Sequence, residues 1–144
     1  MPSGMHQAVI NLPIARIWEF VADIDNWAPL MPGYITHERI NERQLTWEFH
    51  SDIALVKKKI SMLVEIQEWI EPVKVAFTLK GLNEQFTGYG YFTAKPIQED
   101  QTKMTGYLDI HAEGIMGKVM NKILKTSLPK TAEALTAAIA EKMK

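Results

Sequence analysis

The sequence predicts an α+β domain in which a curved antiparallel sheet of six to seven strands wraps around one long C-terminal helix. The spacing of apolar residues is helical near the start, alternates through the middle and is helical again at the end. The polar turns between the alternating segments are short, as in an antiparallel meander. The terminal helix is the only predicted element long enough to cover the apolar face of such a sheet.

Composition limits the class of protein. The chain has 144 residues, of which 47% are hydrophobic and 23% charged, a balance typical of one globular domain spanning residues 1–144. A formal net charge of −1 argues against a nucleic-acid binder that works through charge alone. The chain has no cysteine, which excludes disulfides and thiolate nucleophiles. Because it also lacks a signal-peptide pattern and a long apolar run, we expect a cytoplasmic protein.

The N-terminal segment predicts a strand followed by a helix. Met5 to Ile10 is short and partly apolar, as in a strand. Asn11 is a residue of the N-cap type that precedes a proline, and the apolar spacing that follows predicts a helix from Pro13 to about Ala22. Asp23 to Asn26 ends this helix with turn-forming and capping residues, and Trp27 to Met31 forms one more short turn.

The middle of the chain alternates between apolar and polar residues, as strands do. Three successive strands are expected to turn inward the residues Leu45, Trp47 and Phe49, then Ile60, Met62, Val64 and Ile66, then Val75, Phe77 and Leu79. Two further strands cover roughly Phe86 to Ala94 and Lys103 to Ala112. Gly88, Gly90 and Gly106 lie inside them, where a missing side chain permits bending or a bulge.

The C-terminal segment, about 115 to 142, predicts a long amphipathic helix. Its apolar stripe consists of Met116, Val119, Met120, Ile123, Leu124, Leu128, Leu135 and Ile139. Pro129 lacks an amide proton and its ring crowds the preceding turn, so we expect a kink or local break near Lys125 to Leu128.

No motif in the chain indicates a metal site or an established catalytic centre. The histidines lack the spacing of a metal-binding pair, so we expect exposed strand histidines, no metal and no cofactor. They are His6, His37, His50 and His111. Asp23 and Asp25 lie at a helix end, where capping is more typical than acid–base chemistry.

A run of lysines is the main charged feature. Lys57 to Lys59 usually means a solvated strand end, whereas together with Lys118, Lys122 and Lys125 it would form a basic patch. Such a patch suits an anionic membrane surface or an acidic partner protein.

The concave surface of the sheet exceeds what one helix fills, so the sequence predicts an apolar cavity between them. Methionine side chains adapt to variable ligand shapes. Tyr89 and Tyr91 would add hydroxyl groups if a bulge at the neighbouring glycines turned them inward. The predicted ligand-binding residues are Trp47, Phe49, Met62, Phe77, Tyr89, Tyr91, Phe92, Met116 and Met120.

Three motifs carry a resemblance to a known family: Asn11 to Trp18, Val21 to Trp27, and Leu30 to Gly33. With the order of elements, they resemble the START-like (SRPBCC polyketide cyclase) superfamily, which has the helix-grip fold. Within it, the chain is most similar to the CoxG-like family associated with carbon monoxide dehydrogenase, whose Leu-Pro-Gly motif corresponds to the third segment. The resemblance spans about Met5 to Ala138.

We therefore expect the domain to bind or transport a hydrophobic small molecule (a lipid, quinone or polyketide-like compound) without catalysis. The resemblance implies two alternatives, a polyketide cyclase/dehydratase-like enzyme or an accessory module of an oxidoreductase. A buried ionisable cluster would favour the enzyme, and a basic patch beside the cavity mouth would favour the accessory module. We expect no nucleic-acid partner, a peripheral membrane or oxidoreductase contact through the basic patch, and a monomer or homodimer.

Overall fold

The computed structural model describes residues 3–51, 58–115 and 117–143. Its strands are β1 (Ser3–Ile10), β2 (Tyr34–Arg39), β3 (Gln44–Ser51), β4 (Lys58–Ile70), β5 (Lys74–Gly81), β6 (Phe86–Gln98) and β7 (Gln101–Ala112). Its helices are α1 (Ile14–Val21), α2 (Ile24–Trp27) and α3 (Gly117–Lys142), with a 3₁₀ turn at Ala28–Leu30.

The seven strands form one antiparallel sheet in the order β1-β7-β6-β5-β4-β3-β2. Strands β2 to β7 pair with their neighbours along the chain, as a meander does. β1 closes the other side by pairing with β7, from Ser3 opposite Asp109 to Ile10 opposite Thr102. The predicted fold class, a curved sheet gripping a long C-terminal helix, is confirmed.

The inward positions predicted for β3, β4 and β5 are also confirmed, because the alternation of a strand fixes which side chains share a face. Of the residues predicted to face inward, those less than 5% exposed are Leu45, Trp47, Met62, Val64, Ile66, Val75, Phe77 and Leu79. Phe49 and Ile60, nearer one end of the sheet, are half-buried.

All helices lie on this inner face. α1 packs against β6 and β7, and α3 packs against β1 and β7. The residues that α3 buries are Gly117, Leu124, Leu128, Ala132, Leu135, Thr136, Ile139 and Ala140. Val119 was expected in this stripe, but it is 50% exposed because it lies to one side of the line that the buried residues follow. No helix in the described part of the chain is both long and apolar enough to cross a bilayer.

Two local expectations about the helices are wrong, namely the break in α3 at Pro129 and the cap of α1 at Asn11. α3 continues through Pro129, which is exposed, so the local break expected near Lys125 to Leu128 does not occur. α1 begins at Ile14 with Pro13 as its N-cap. Asn11 does not cap it, and its side-chain oxygen instead accepts a hydrogen bond from the Gln101 amide at 3.1 Å.

α3 approaches the backbone of β1 closely at Gly4. A Cβ atom there would overlap the carbonyl group of Leu128 and the nitrogen of Pro129, which are backbone atoms that cannot rotate away. We therefore expect Gly4→Ala to lower the free energy of unfolding by about 1–3 kcal/mol, as overpacking does in other cores. Urea denaturation measures this loss.

Met5→Ala is the matched control, because Met5 is the next residue of β1 and is 56% exposed. Its unfolding free energy should stay within about 0.5 kcal/mol of the wild type. Equal stability of Gly4→Ala and Met5→Ala would contradict the close approach.

Candidate functional site

The interior between the sheet and the helices is organised around Trp27, the last residue of α2, which is 0% exposed. Its ring centroid lies 5.6 Å from that of Trp47, 5.8 Å from that of Phe77 and 5.1 Å from that of Phe92. The contacts with Trp47 and Phe92 are edge-to-face, a favourable geometry for aromatic pairs. One side chain thus contacts the inner face of three different strands.

Two hydrogen bonds fix the indoles of this aromatic cluster (Trp27, Trp47, Phe77 and Phe92). Trp27 Nε1 donates to the carbonyl of Val21 at 3.0 Å, and Trp47 Nε1 donates to the carbonyl of Ala28 at 3.1 Å. Both acceptors belong to the helical segment that precedes β2. The segment and the sheet are therefore joined by polar contacts as well as by burial.

Trp27 fills much of the space in which the sequence predicts a cavity. Of the spaces that remain among the described residues, one of about 10 Å³ lies between α1 and the sheet. Another, between α3 and strands β6 and β7, is too small for a water molecule. Ligand pockets usually measure about 300–1,000 Å³. The expectation of an open cavity is wrong for this conformation. Trp27, which was expected only as part of a short turn, is buried in the interior instead.

The predicted ligand-binding residues fall into separate groups. Trp47, Met62, Phe77 and Phe92 lie together in the buried interior. Phe49 and Met120 are partly buried and pack against it. Met116 lies outside the described residues. Ligand binding by these side chains stays a prediction.

Tyr89 and Tyr91 are on the outer face of the sheet, so the inward orientation that a bulge would have produced does not occur. The pairing of β6 with β5 runs without a bulge through both glycines of this segment, so alternation puts Phe92 inside and the two tyrosines outside. There Tyr91 stacks on Tyr107 with ring centroids 4.9 Å apart. Burial raises the pKa of Tyr107, whose hydroxyl also donates to Asp109 at 3.0 Å.

The interior contains hardly any polar side chains. Among the residues that the structure describes, the buried polar ones are Thr102, Thr105 and Thr136, and none of them is ionisable. Phe92 borders both small spaces, the one beneath α1 and the one beneath α3. The described interior is therefore almost entirely apolar.

A polar network fastens α2 to the edge strand β2. Asp23 caps α2 by accepting from the Asp25 amide at 3.0 Å, which confirms the capping role. Asp25 accepts from His37 Nε2 at 2.7 Å, and the other ring nitrogen of His37 meets the Tyr34 hydroxyl at 2.7 Å. Arg39 pairs with Asp23 at 2.8 Å and with Asp25 at 3.4 Å.

His37 is therefore not the exposed strand histidine that was expected, since its side chain is only 14% exposed. Because an ionised carboxylate can only accept, His37 Nε2 carries the proton toward Asp25, and in the neutral ring Nδ1 accepts from Tyr34. Within the described ranges, no three histidine, aspartate or glutamate side chains converge as a metal site would require.

The predicted basic patch is only partly described. Lys57 lies outside the described residues. Lys59 Nζ lies 2.8 Å from a carboxylate oxygen of Glu48. The hydrogen bond from Lys59 lowers the pKa of the Glu48 carboxyl. Lys118, Lys122 and Lys125 are exposed on α3.

Comparison with known proteins shows which of them share this architecture. One protein-family model, whose description reads only "-like", matches residues 1–144, and the chain belongs to that family. No curated protein matches the chain. Among solved structures, a conserved protein from Geobacillus kaustophilus is similar with a TM-score of 0.82 and 16% identity, covering 98% of this chain and 94% of that one.

Two further structures carry more informative descriptions. A START superfamily protein from Mycobacterium smegmatis has a TM-score of 0.71 and 15% identity, covering 98% of this chain and 96% of its own. The chain has the START-like helix-grip fold. The Zhui aromatase/cyclase from a Streptomyces species is similar with a TM-score of 0.66 and 15% identity, covering 98% of this chain and 90% of its own. At 15% identity, these two similarities establish the fold alone.

The network at α2 predicts a dependence of stability on pH. The hydrogen bond from His37, assisted by the charge of Arg39, holds the pKa of Asp25 below its ordinary value. A carboxyl with a lower pKa in the folded state stabilises that state above its unfolded pKa, and the contribution is lost as the pH falls through the folded value. We expect Asp25→Asn to lower the free energy of unfolding at pH 7 by about 1 kcal/mol or less. The deficit should shrink below about pH 4.

Urea denaturation at neutral and acid pH measures this change. Glu19→Gln is the control, because Glu19 makes only a long, exposed contact of 3.9 Å with Arg16. It should leave stability unchanged at both pH values. A deficit of Asp25→Asn that persists undiminished in acid would show that ionisation of this carboxyl contributes nothing.

Proposed function

We propose that residues 1–144 form one domain that binds a hydrophobic small molecule between the inner face of the sheet and α3. The single observation that supports this most is that the interior is apolar, with threonines as its only buried polar residues in the described chain. A lipid, quinone or polyketide-like compound suits such an interior, since burial of apolar surface contributes about 25 cal/mol per Å². Two of the fold neighbours, a START superfamily protein and an aromatase/cyclase, are consistent with this proposal.

The ligand is proposed to occupy the space beside Phe92 and to widen it on binding. Two hydrogen bonds between Asn121 and the backbone of Ala112, at 2.8 and 3.0 Å, fasten the first turns of α3 to β7. Further along, Ala132 and Leu135 border the space through apolar packing. Separation of this half of α3 from β7 breaks dispersion contacts that the ligand's own apolar surface can replace.

A cyclase-like enzyme is the less favoured alternative. Acid–base catalysis needs an ionisable group within hydrogen-bond reach of the substrate. In the described part of the chain, the buried polar residues are threonines, which are not ionisable. The nearest approach to a catalytic arrangement, Asp25 with His37 and Tyr34, lies between α2 and the edge strand.

The accessory role is a second proposal, supported by the sequence resemblance to the CoxG-like family and by the lysines on α3. Lys118, Lys122 and Lys125 are exposed there. Lysines at this spacing present positive charge to an acidic partner oxidoreductase or to an anionic membrane surface. A cytoplasmic location and a monomeric or homodimeric state complete the proposal.

The test is a panel of fatty acid, isoprenoid, quinone and flavonoid, read by thermal melting and by tryptophan fluorescence. A ligand at about 100 times its Kd adds about 2.7 kcal/mol to the stability of the folded state. Its binding should also change the emission of Trp27, which contacts Phe92, and of Trp47, which contacts Trp27. Native mass spectrometry of the purified protein identifies any ligand that is carried along.

Two valine variants on α3 locate the site. Ala132 borders the space beneath α3, whereas Ala140 is buried on the same helix outside that border. We expect Ala132→Val to weaken binding about tenfold by filling the space, while Ala140→Val leaves affinity unchanged. If no compound shifts either signal and none is carried along, the carrier function is excluded. If a compound binds and both variants bind it like the wild type, the ligand lies elsewhere.

A further inference from the structure

Thr136 combines burial with an unused hydrogen-bonding group. It lies in the second half of α3, is 1% exposed, and its Oγ1 has no hydrogen-bond partner in the described chain. Buried polar groups nearly always have a partner. Among the described residues, Trp69 Nε1 and Ser127 Oγ are also buried without a partner, but neither borders the spaces beneath α1 and α3, whereas Thr136 borders the second.

Two other threonines show what the fold does with such a hydroxyl elsewhere. Thr131, on the same helix, donates to the carbonyl of Ser127 at 3.0 Å, which is the usual bond to the residue four positions earlier. Thr102, equally buried in β7, donates to the carbonyl of Leu12 at 2.8 Å. Thr136 makes neither kind of bond.

The hydroxyl of Thr136 lies against Gly106, and both residues border the space beneath α3. A Cβ at Gly106 would overlap Thr136 Oγ1 and come within 3.2 Å of the Phe92 ring, so the missing side chain leaves room for both. The same space is bordered by Leu108 and Leu135. Tyr107 also borders it, but its ring is on the outer face of the sheet, stacked on Tyr91.

We propose that Thr136 Oγ1 donates a hydrogen bond to a carbonyl oxygen of the bound molecule, which makes the ligand an uncharged apolar compound with at least one carbonyl group, such as a quinone, ketone or ester. This inference rests on the proposed function. The described residues that border the space include no lysine, arginine or histidine. A free carboxylate would therefore lose its hydration without gaining a counter-charge, which favours neutral ligands.

The experiment compares two probes of nearly the same shape, menadione and 2-methylnaphthalene, which differ in the two carbonyl oxygens. Isothermal titration calorimetry measures their Kd for the wild type, Thr136→Val and Thr136→Ser. The preference for the quinone over the hydrocarbon should be about tenfold larger in the wild type than in Thr136→Val, as expected for one buried hydrogen bond, because desolvation of the second carbonyl is common to both proteins. The valine variant, which keeps the shape and removes the hydroxyl, should lose that additional preference, and the serine variant should retain it.

Thr102→Val is the matched control for removal of a buried threonine hydroxyl. Because it leaves the carbonyl of Leu12 unpaired, it should lower the urea midpoint and leave the quinone preference intact. Thr136→Val should not lower the midpoint, since its hydroxyl has no partner to lose. A midpoint for Thr136→Val as low as that of Thr102→Val would assign the hydroxyl a structural role and overturn the inference.

The remaining outcomes separate this inference from the proposed function. If the wild type and Thr136→Val show the same preference, or none, while both probes bind, the carbonyl contact is wrong and the hydrophobic binding function stands. If neither probe binds the wild type, and the wider panel is also negative, both are overturned.

Discussion

The packing of Trp27 against the inner face of the sheet is the contact on which the rest of the interior depends. Its ring meets Trp47 of β3, Phe77 of β5 and Phe92 of β6, so a single side chain spans the middle of the sheet. The short helix α2 is too small to be stable alone. It is held because its indole is buried and because Asp23 and Asp25 are fastened to the edge strand. The sheet in turn keeps its curvature around this residue and α3.

This arrangement limits how a ligand can enter. A ligand that enters a preformed pocket only has to displace water. In a closed interior, surfaces that already pack against each other must first separate. The affinity then falls by the fraction of molecules in which the space is open. The two sides of Phe92 differ in this respect, because one faces the aromatic cluster and the other faces α3. The α3 side involves aliphatic contacts and one unpartnered hydroxyl, so its separation disturbs fewer specific interactions.

The sequence was sufficient for the sheet and insufficient for what fills it. Alternation in β3, β4 and β5 gave the correct inward residues, because a strand has only two faces and Trp47, Met62 and Phe77 share one. The same rule would have put Tyr91 outside once Phe92 was inside. The allowance for a bulge at the glycines obscured this.

The position of Trp27 could not be read from periodicity, since a four-residue helix is too short to show one. The one available signal was its residue type, because a tryptophan between Ile24 and Ala28 carries more apolar surface than an exposed turn accommodates. The partnerless hydroxyl of Thr136 is a tertiary property. It depends on the absence of a side chain at Gly106, which is distant in the sequence and adjacent in space.

The edge-to-face contact between Trp27 and Trp47 has an optical consequence. With centroids 5.6 Å apart and ring planes at 77°, the two indoles are close enough for their electronic transitions to couple. Coupling of this kind gives paired bands of opposite sign in circular dichroism. The sign and splitting of these bands follow the angle between the rings. The circular dichroism of this indole pair therefore reports the orientation of α2 relative to β3.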